Sequence, residues 1–91
     1  MNPVLQNHLH IVLDTPDEHK ELVSSIIIDF HSAWAVNDAA HRAEHFNKVF
    51  WTGKYINDTL KLQYDEKLII LVAYFHDLFS WSRYNHRSLV S

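Results

Sequence analysis

The chain has 91 residues, eight of them histidines, no cysteine and a formal net charge of −3 at pH 7. That length makes one domain at most, the lack of cysteine excludes disulfides and thiolate–zinc sites, and the scattered positive charge speaks against a basic nucleic-acid-binding surface. An apolar share of 47 %, with three Trp, four Tyr and five Phe, argues for a folded core and against disorder. One Gly and two Pro are too little punctuation for a many-turned β fold, so an all-α chain is expected. The longest apolar run, Leu68 to Phe75, is far short of a membrane span. Met1-Asn2-Pro3 is not a basic segment followed by an apolar run, so no secretory signal is expected. These features together predict a soluble, cytoplasmic single domain over residues 1–91.

Residues 1–14 form an N-terminal segment open to two readings. Val4, Leu5, His8, Leu9 and Val12 fit a helical stripe, while Leu9, Ile11 and Leu13 also fit strand alternation; helix is preferred because the rest of the chain is helical. Thr15-Pro16-Asp17-Glu18 has a capping Thr, Pro at the first helical position and Glu three residues after the cap. A first long helix should start there, with Leu22, Ile26, Phe30 and Ala33 on one face, and end near Val36. Asn37-Asp38 is a second cap signal. Beyond it Phe46, Val49, Phe50, Gly53, Ile56 and Leu60 form an amphipathic stripe. Gly53 inside that stripe suggests close packing against another helix, since Gly costs about 1 kcal/mol relative to Ala in a helix. Asp65 should cap a third helix, with Leu68, Leu71, Val72, Phe75 and Phe79 on its packed face and a break near 80–82.

The histidine excess raises the question of metal binding, and spacing narrows it. His41 and His45 lie four apart, on one helix face. His45 is expected at the edge of the core, and His76 partly inward, with Asp77 about 100° around the helix from it. If the second and third helices pack together, His45, His76 and Asp77 can share one ion. Two imidazoles and a carboxylate suit a divalent Mn, Fe, Co, Ni or Zn.

His45-x-x-x-Val49, followed on the next predicted helix by Ala73-Tyr74-Phe75-His76-Asp77, resembles the HD superfamily of metal-dependent phosphohydrolases. The resemblance covers residues 37–91. It implies an HD-type helical bundle, here incomplete, of three to four helices, with His45, His76 and Asp77 as metal ligands. It also implies hydrolysis of a phosphate ester such as a nucleotide. Arg42, one turn before His45, is then a candidate phosphate contact, and Glu44 a candidate base or ligand-orienting group. Asn85-His86-Arg87-Ser88 resembles the segment after the doublet, where some members carry a further His, so His86 becomes a candidate for a second metal or the substrate.

One departure is plain: residues 78–91 contain no Asp and no Glu, so the family's final Asp ligand has no counterpart. Asp29, Glu44 or a carboxylate from another subunit are the candidate substitutes. A natural short form, a degraded gene and one piece of a longer domain all remain open, as does a non-catalytic HD-like module that binds a metal, a nucleotide or a protein. Without later helices, exposed apolar surface should promote self-association into a homo-oligomer. His41-x-x-Glu44-His45 also matches an inverted zinc-protease motif, a much weaker reading in a His-rich chain. His8, His10, His19 and His31 are expected at the surface. Trp34, Trp51 and Trp81, with Phe50, Phe75 and Phe79, are expected in the core or in a dimer contact.

Overall fold

Asn2 begins the first helix by accepting a hydrogen bond from the Val4 amide at 2.8 Å, with Pro3 in the first turn. The computed structural model describes residues 2–81, and these are all-α: no strand occurs among them. Two short helices, α1 (Pro3–Asn7) and α2 (Leu9–Leu13), meet at His8, so the helical reading of the N-terminal segment holds. No helix among the described residues is long and apolar enough to cross a membrane.

The capping box expected at Thr15 does not form. Thr15 is buried, and its hydroxyl donates back to the Ile11 carbonyl at 2.8 Å. Hydroxyls of Ser and Thr commonly choose the carbonyl four residues back when both are shielded from water. A 3₁₀ turn at Asp17–His19 therefore comes first, and α3 (Lys20–Phe30) follows it. α3 also stops earlier than expected. A 3₁₀ turn at His31–Ala33 leads to an extended Trp34, whose side chain is fully buried. Trp34 meets Phe46 at 5.4 Å and Trp81 at 5.9 Å between ring centroids. Burying so large a ring outweighs continuing the helix.

After a 3₁₀ turn at Val36–Asp38, α4 (Ala39–Leu60) is the longest element. It ends with Lys61 in the left-handed conformation, φ 53°. α5 (Glu66–Phe75) starts as the sequence suggests, with the Asp65 carboxylate accepting from the Lys67 amide at 2.9 Å. Between them Asn57, buried on α4, clamps the connection. Its side-chain amide donates to the Tyr64 carbonyl and its oxygen accepts from the Tyr64 amide, both at 3.0 Å. A last 3₁₀ turn, Leu78–Ser80, follows α5.

The contacts Asn57–Tyr64, Gly53–Ile69, His45–His76 and Arg42–Asp77 run in opposite senses along the two helices. α4 and α5 are thus an antiparallel hairpin. Their core side is aromatic: Phe46 packs against Tyr74 at 5.6 Å and Trp81 at 5.9 Å. Ile11, Val23, Ile26 and Ile27 from α2 and α3 complete the buried cluster with Phe50, Ile70 and Ala73. Trp34 and Trp81 are core residues as expected, whereas Trp51 is partly exposed and donates to the Asp14 carbonyl.

The face of α5 departs from the sequence reading. Its buried residues are Ile70, Ala73 and Tyr74, while Leu68, Leu71 and Val72 are 50 %, 42 % and 56 % exposed. α5 is apolar almost all round, so helical periodicity does not select a side. The hairpin partner selects it.

Gly53 is where the two helices come closest. A Cβ built there would lie 2.9 Å from Cγ2 of Ile69. That methyl sits on a β-branched side chain with little rotamer freedom, so it cannot move aside cheaply. Gly53→Ala should therefore lower stability by about 1 kcal/mol, overpacking outweighing the gain in helix propensity. Urea unfolding followed by circular dichroism checks this; a more stable variant would contradict the close crossing.

Candidate metal centre at the helix hairpin

The hairpin brings together two of the three candidate ligands. His45 on α4 and His76 just after α5 face each other with ring centroids 5.6 Å apart. Both are exposed, although the spacing had suggested positions nearer the core. His76 Nδ1 lies 2.8 Å from the Ala73 carbonyl. That bond holds the proton on Nδ1 and leaves Nε2 as a free lone pair. Metal-ligating histidines are commonly oriented in this way.

Asp77 is engaged elsewhere. Its Oδ2 accepts from Arg42 Nη1 at 3.1 Å, and the same nitrogen donates to the Ser80 hydroxyl at 3.1 Å. Ser80 in turn donates to the Asp77 carbonyl at 2.9 Å. Arg42 thus lies beside the site, as its place one turn before His45 suggests, but its partner is a carboxylate of the chain. Glu44 points to the other flank of α4, where its carboxylate meets His10 Nε2 at 2.9 Å. His41 is exposed beside Asp38 at 3.9 Å. His86 lies outside the described residues. Lys48, three residues after His45, lines the same open surface depression as His45, Val49 and Ile56. Nothing in the sequence reading singled it out, although its spacing on the helix could have.

Among the described residues, one group of three puts its ligand atoms within 4.8 Å of one another: Glu18, His19 and Glu66. By distance alone it could hold a metal ion. His19 had been expected at the surface, yet it is buried, as is His8. Its Nε2 lies 2.9 Å from Glu66 Oε1, and its buried Nδ1 has no hydrogen-bond partner. An unpartnered lone pair is tolerated there more easily than an unpartnered N–H. The proton therefore belongs on Nε2, the nitrogen that a metal would need bare. Lys54 also donates to Glu66 Oε2 at 3.0 Å and to Asp58 at 2.8 Å. Glu66 thus joins a hydrogen bond from His19 to an ion pair with Lys54, a network that ties the start of α3 to α4 and α5.

Electrostatics agree with that reading. Hydrogen bonds from His19 and then Lys54 hold the Glu66 carboxyl below its ordinary value of 4.5. Lys54 is held above its ordinary range by its bonds to Asp58 and Glu66. Burial pushes the Tyr74 hydroxyl well above its usual range. Comparison with known proteins finds no matching family model, curated protein or solved structure. The residues themselves therefore carry the functional reading.

A carboxyl whose folded pKa is lowered contributes stability above its ordinary pKa, and that stability fades as pH falls towards the folded pKa. Glu66→Gln should therefore be less stable than wild type at neutral pH. The gap should close as pH drops below about 4.5. Thermal unfolding of both proteins across this range checks it, and a gap independent of pH would rule out the charged network.

Proposed function

We propose that His45, His76 and Asp77 form a divalent-metal site serving phosphoester hydrolysis, with a nucleotide or related phosphate ester as the substrate class. The imidazoles of His45 on α4 and His76 just after α5, with ring centroids 5.6 Å apart, carry this reading. His76 offers a free Nε2 because its other nitrogen is bound to the Ala73 carbonyl. Asp77, adjacent in sequence and partly exposed, is the third donor once its carboxylate turns from Arg42. A bound divalent ion supplies a water of lowered pKa and polarises phosphoryl oxygens.

The chain's own groups have separable roles in this scheme. Arg42, released from Asp77, is free to donate two parallel hydrogen bonds to a phosphate. Lys48 offers a second cation in the depression beside His45. Glu44 is a weaker candidate for the base, because its carboxylate is held by His10 on the other flank.

A second reading is favoured by one specific contact. Arg42 already neutralises Asp77, which leaves the two imidazoles as the uncommitted donors. A non-catalytic module that binds a metal, nucleotide or protein without turnover accords with that.

Metal content, measured by mass spectrometry on untagged protein, tests the site. About one ion per chain is expected in wild type, with loss in both His45→Ala and Asp77→Ala. Hydrolysis of a generic phosphoester with Mn²⁺ or Co²⁺ should disappear in Asp77→Ala. Folded wild type without metal would sink the site. Bound metal with no turnover would leave the binding module, recognised by a melting temperature that rises with ligand while no product forms.

A further inference from the structure

The ion pair between Arg42 and Asp77 joins α4 to the end of α5 beside His45 and His76. Asp77 precedes the last 3₁₀ turn without capping it, since its side chain bonds to no amide of that turn. Among the described residues, Arg42 Nη1 at 3.1 Å is the one partner of its carboxylate. The same nitrogen donates to the Ser80 hydroxyl at 3.1 Å. That hydroxyl is itself fixed, because it donates to the Asp77 carbonyl at 2.9 Å and so turns its lone pairs to Arg42. One nitrogen of the guanidinium thus makes both bonds. Its other N–H groups bond to nothing among the described residues.

We propose, resting on the metal site above, that Arg42 is an exchangeable counter-ion that couples phosphate binding to metal binding. Without ligand it neutralises Asp77; with a phosphate present it moves to that anion and leaves the carboxylate to the ion.

Three observations favour exchange over a fixed structural bridge. The pair rests on a single bond between side chains that are 28 % and 37 % exposed, and such pairs contribute little. Glu66, by contrast, has a partner on each oxygen. A phosphate accepts two parallel bonds from one guanidinium where Asp77 takes one, so Arg42 gains a bond by moving. Arg42 also sets a full positive charge 3.1 Å from the oxygen that a cation would use, so the two compete for Asp77. Finally, Ser80 offers Arg42 an acceptor anchored to the backbone rather than to the carboxylate, which keeps the guanidinium at the site after release.

Whatever draws Arg42 from Asp77 then strengthens metal binding, and by linkage the ion strengthens phosphate binding by the same factor. For a partly exposed pair that factor should fall at the low end of the usual range, about fivefold.

Calorimetric titration of the full chain with Mn²⁺, with and without methylphosphonate (a phosphate mimic that cannot be hydrolysed), tests this. The mimic should tighten Mn²⁺ binding to wild type by about fivefold. Arg42→Gln should bind Mn²⁺ about fivefold tighter than wild type without the mimic, and should lose most of the gain from it. A metal-free arm reads Arg42 directly. Asp77→Asn should bind methylphosphonate more tightly than wild type. Asp38→Asn removes a charge from the same end of α4, at a residue whose contact is His41, and should not. Mn²⁺ affinity that ignores both the mimic and the Arg42 substitution overturns the exchange and leaves the metal site standing. An equal gain in wild type and Arg42→Gln also overturns it, because the phosphonate would then act on the ion directly. So does an Asp77→Asn variant no better than wild type or Asp38→Asn at binding the mimic. Folded protein that takes up no Mn²⁺ under any of these conditions overturns the metal site and the coupling together.

Discussion

The close crossing of α4 and α5 at Gly53 governs the rest of the molecule. With no side chain at that point, Ile69 can approach the backbone of α4. The Asn57 clamp then holds the short connection, so the two helices pair in one register. That register places His45 opposite His76 and Arg42 opposite Asp77 at the far end of the hairpin. A shift of one turn, about 5.4 Å, would separate both pairs. The candidate site is thus a consequence of helix packing two to three turns away from it.

Charge pairing shapes what the site can do. Glu44, Asp77 and Glu66 all have cationic or imidazole partners: His10, Arg42, and His19 with Lys54 respectively. The imidazoles of His45 and His76, by contrast, face each other. The histidine excess therefore divides by role. His8 and His19 are buried structural groups, the first with its Nδ1 against the Val4 carbonyl. His31 caps the end of α3 through the Ile27 and Ile28 carbonyls. His45 and His76 stand with their rings 5.6 Å apart at the far end of the hairpin.

A hairpin that is apolar on two sides has to choose which side the rest of the chain covers. Here α2, α3, Trp34 and Trp81 gather on the Phe46–Phe50–Tyr74 side. The Ile56–Leu60–Val72 side stays open. The open side also begins beside His45, since Val49 and Gly53 line both an apolar groove and the depression that holds His45 and Lys48. The candidate site and the open face are therefore neighbours on the hairpin.

Much of the local structure was legible in the residues. The all-α class, the Asp65 cap of α5 and the close packing at Gly53 follow from composition and local spacing, and the structure bears them out. The α4 stripe holds only in part, since Phe46 and Phe50 are buried while Ile56 and Leu60 are exposed. The likeness to HD phosphohydrolases rests on His45 and the distant His76-Asp77 doublet and is a proposal. What the sequence could not decide is everything that needs two distant segments to meet. Thr15 had both a cap position and the Ile11 carbonyl four residues back within reach, and burial of the two by the rest of the fold decided for the carbonyl. His19 looked like a surface residue until Glu66, far along the chain, arrived beside it. α5 could have buried any of its faces, and contact with α4 chose Ile70, Ala73 and Tyr74. Hydrogen bonding within a turn is set by neighbours in sequence, but burial is set by neighbours in space, and only the packed chain supplies those.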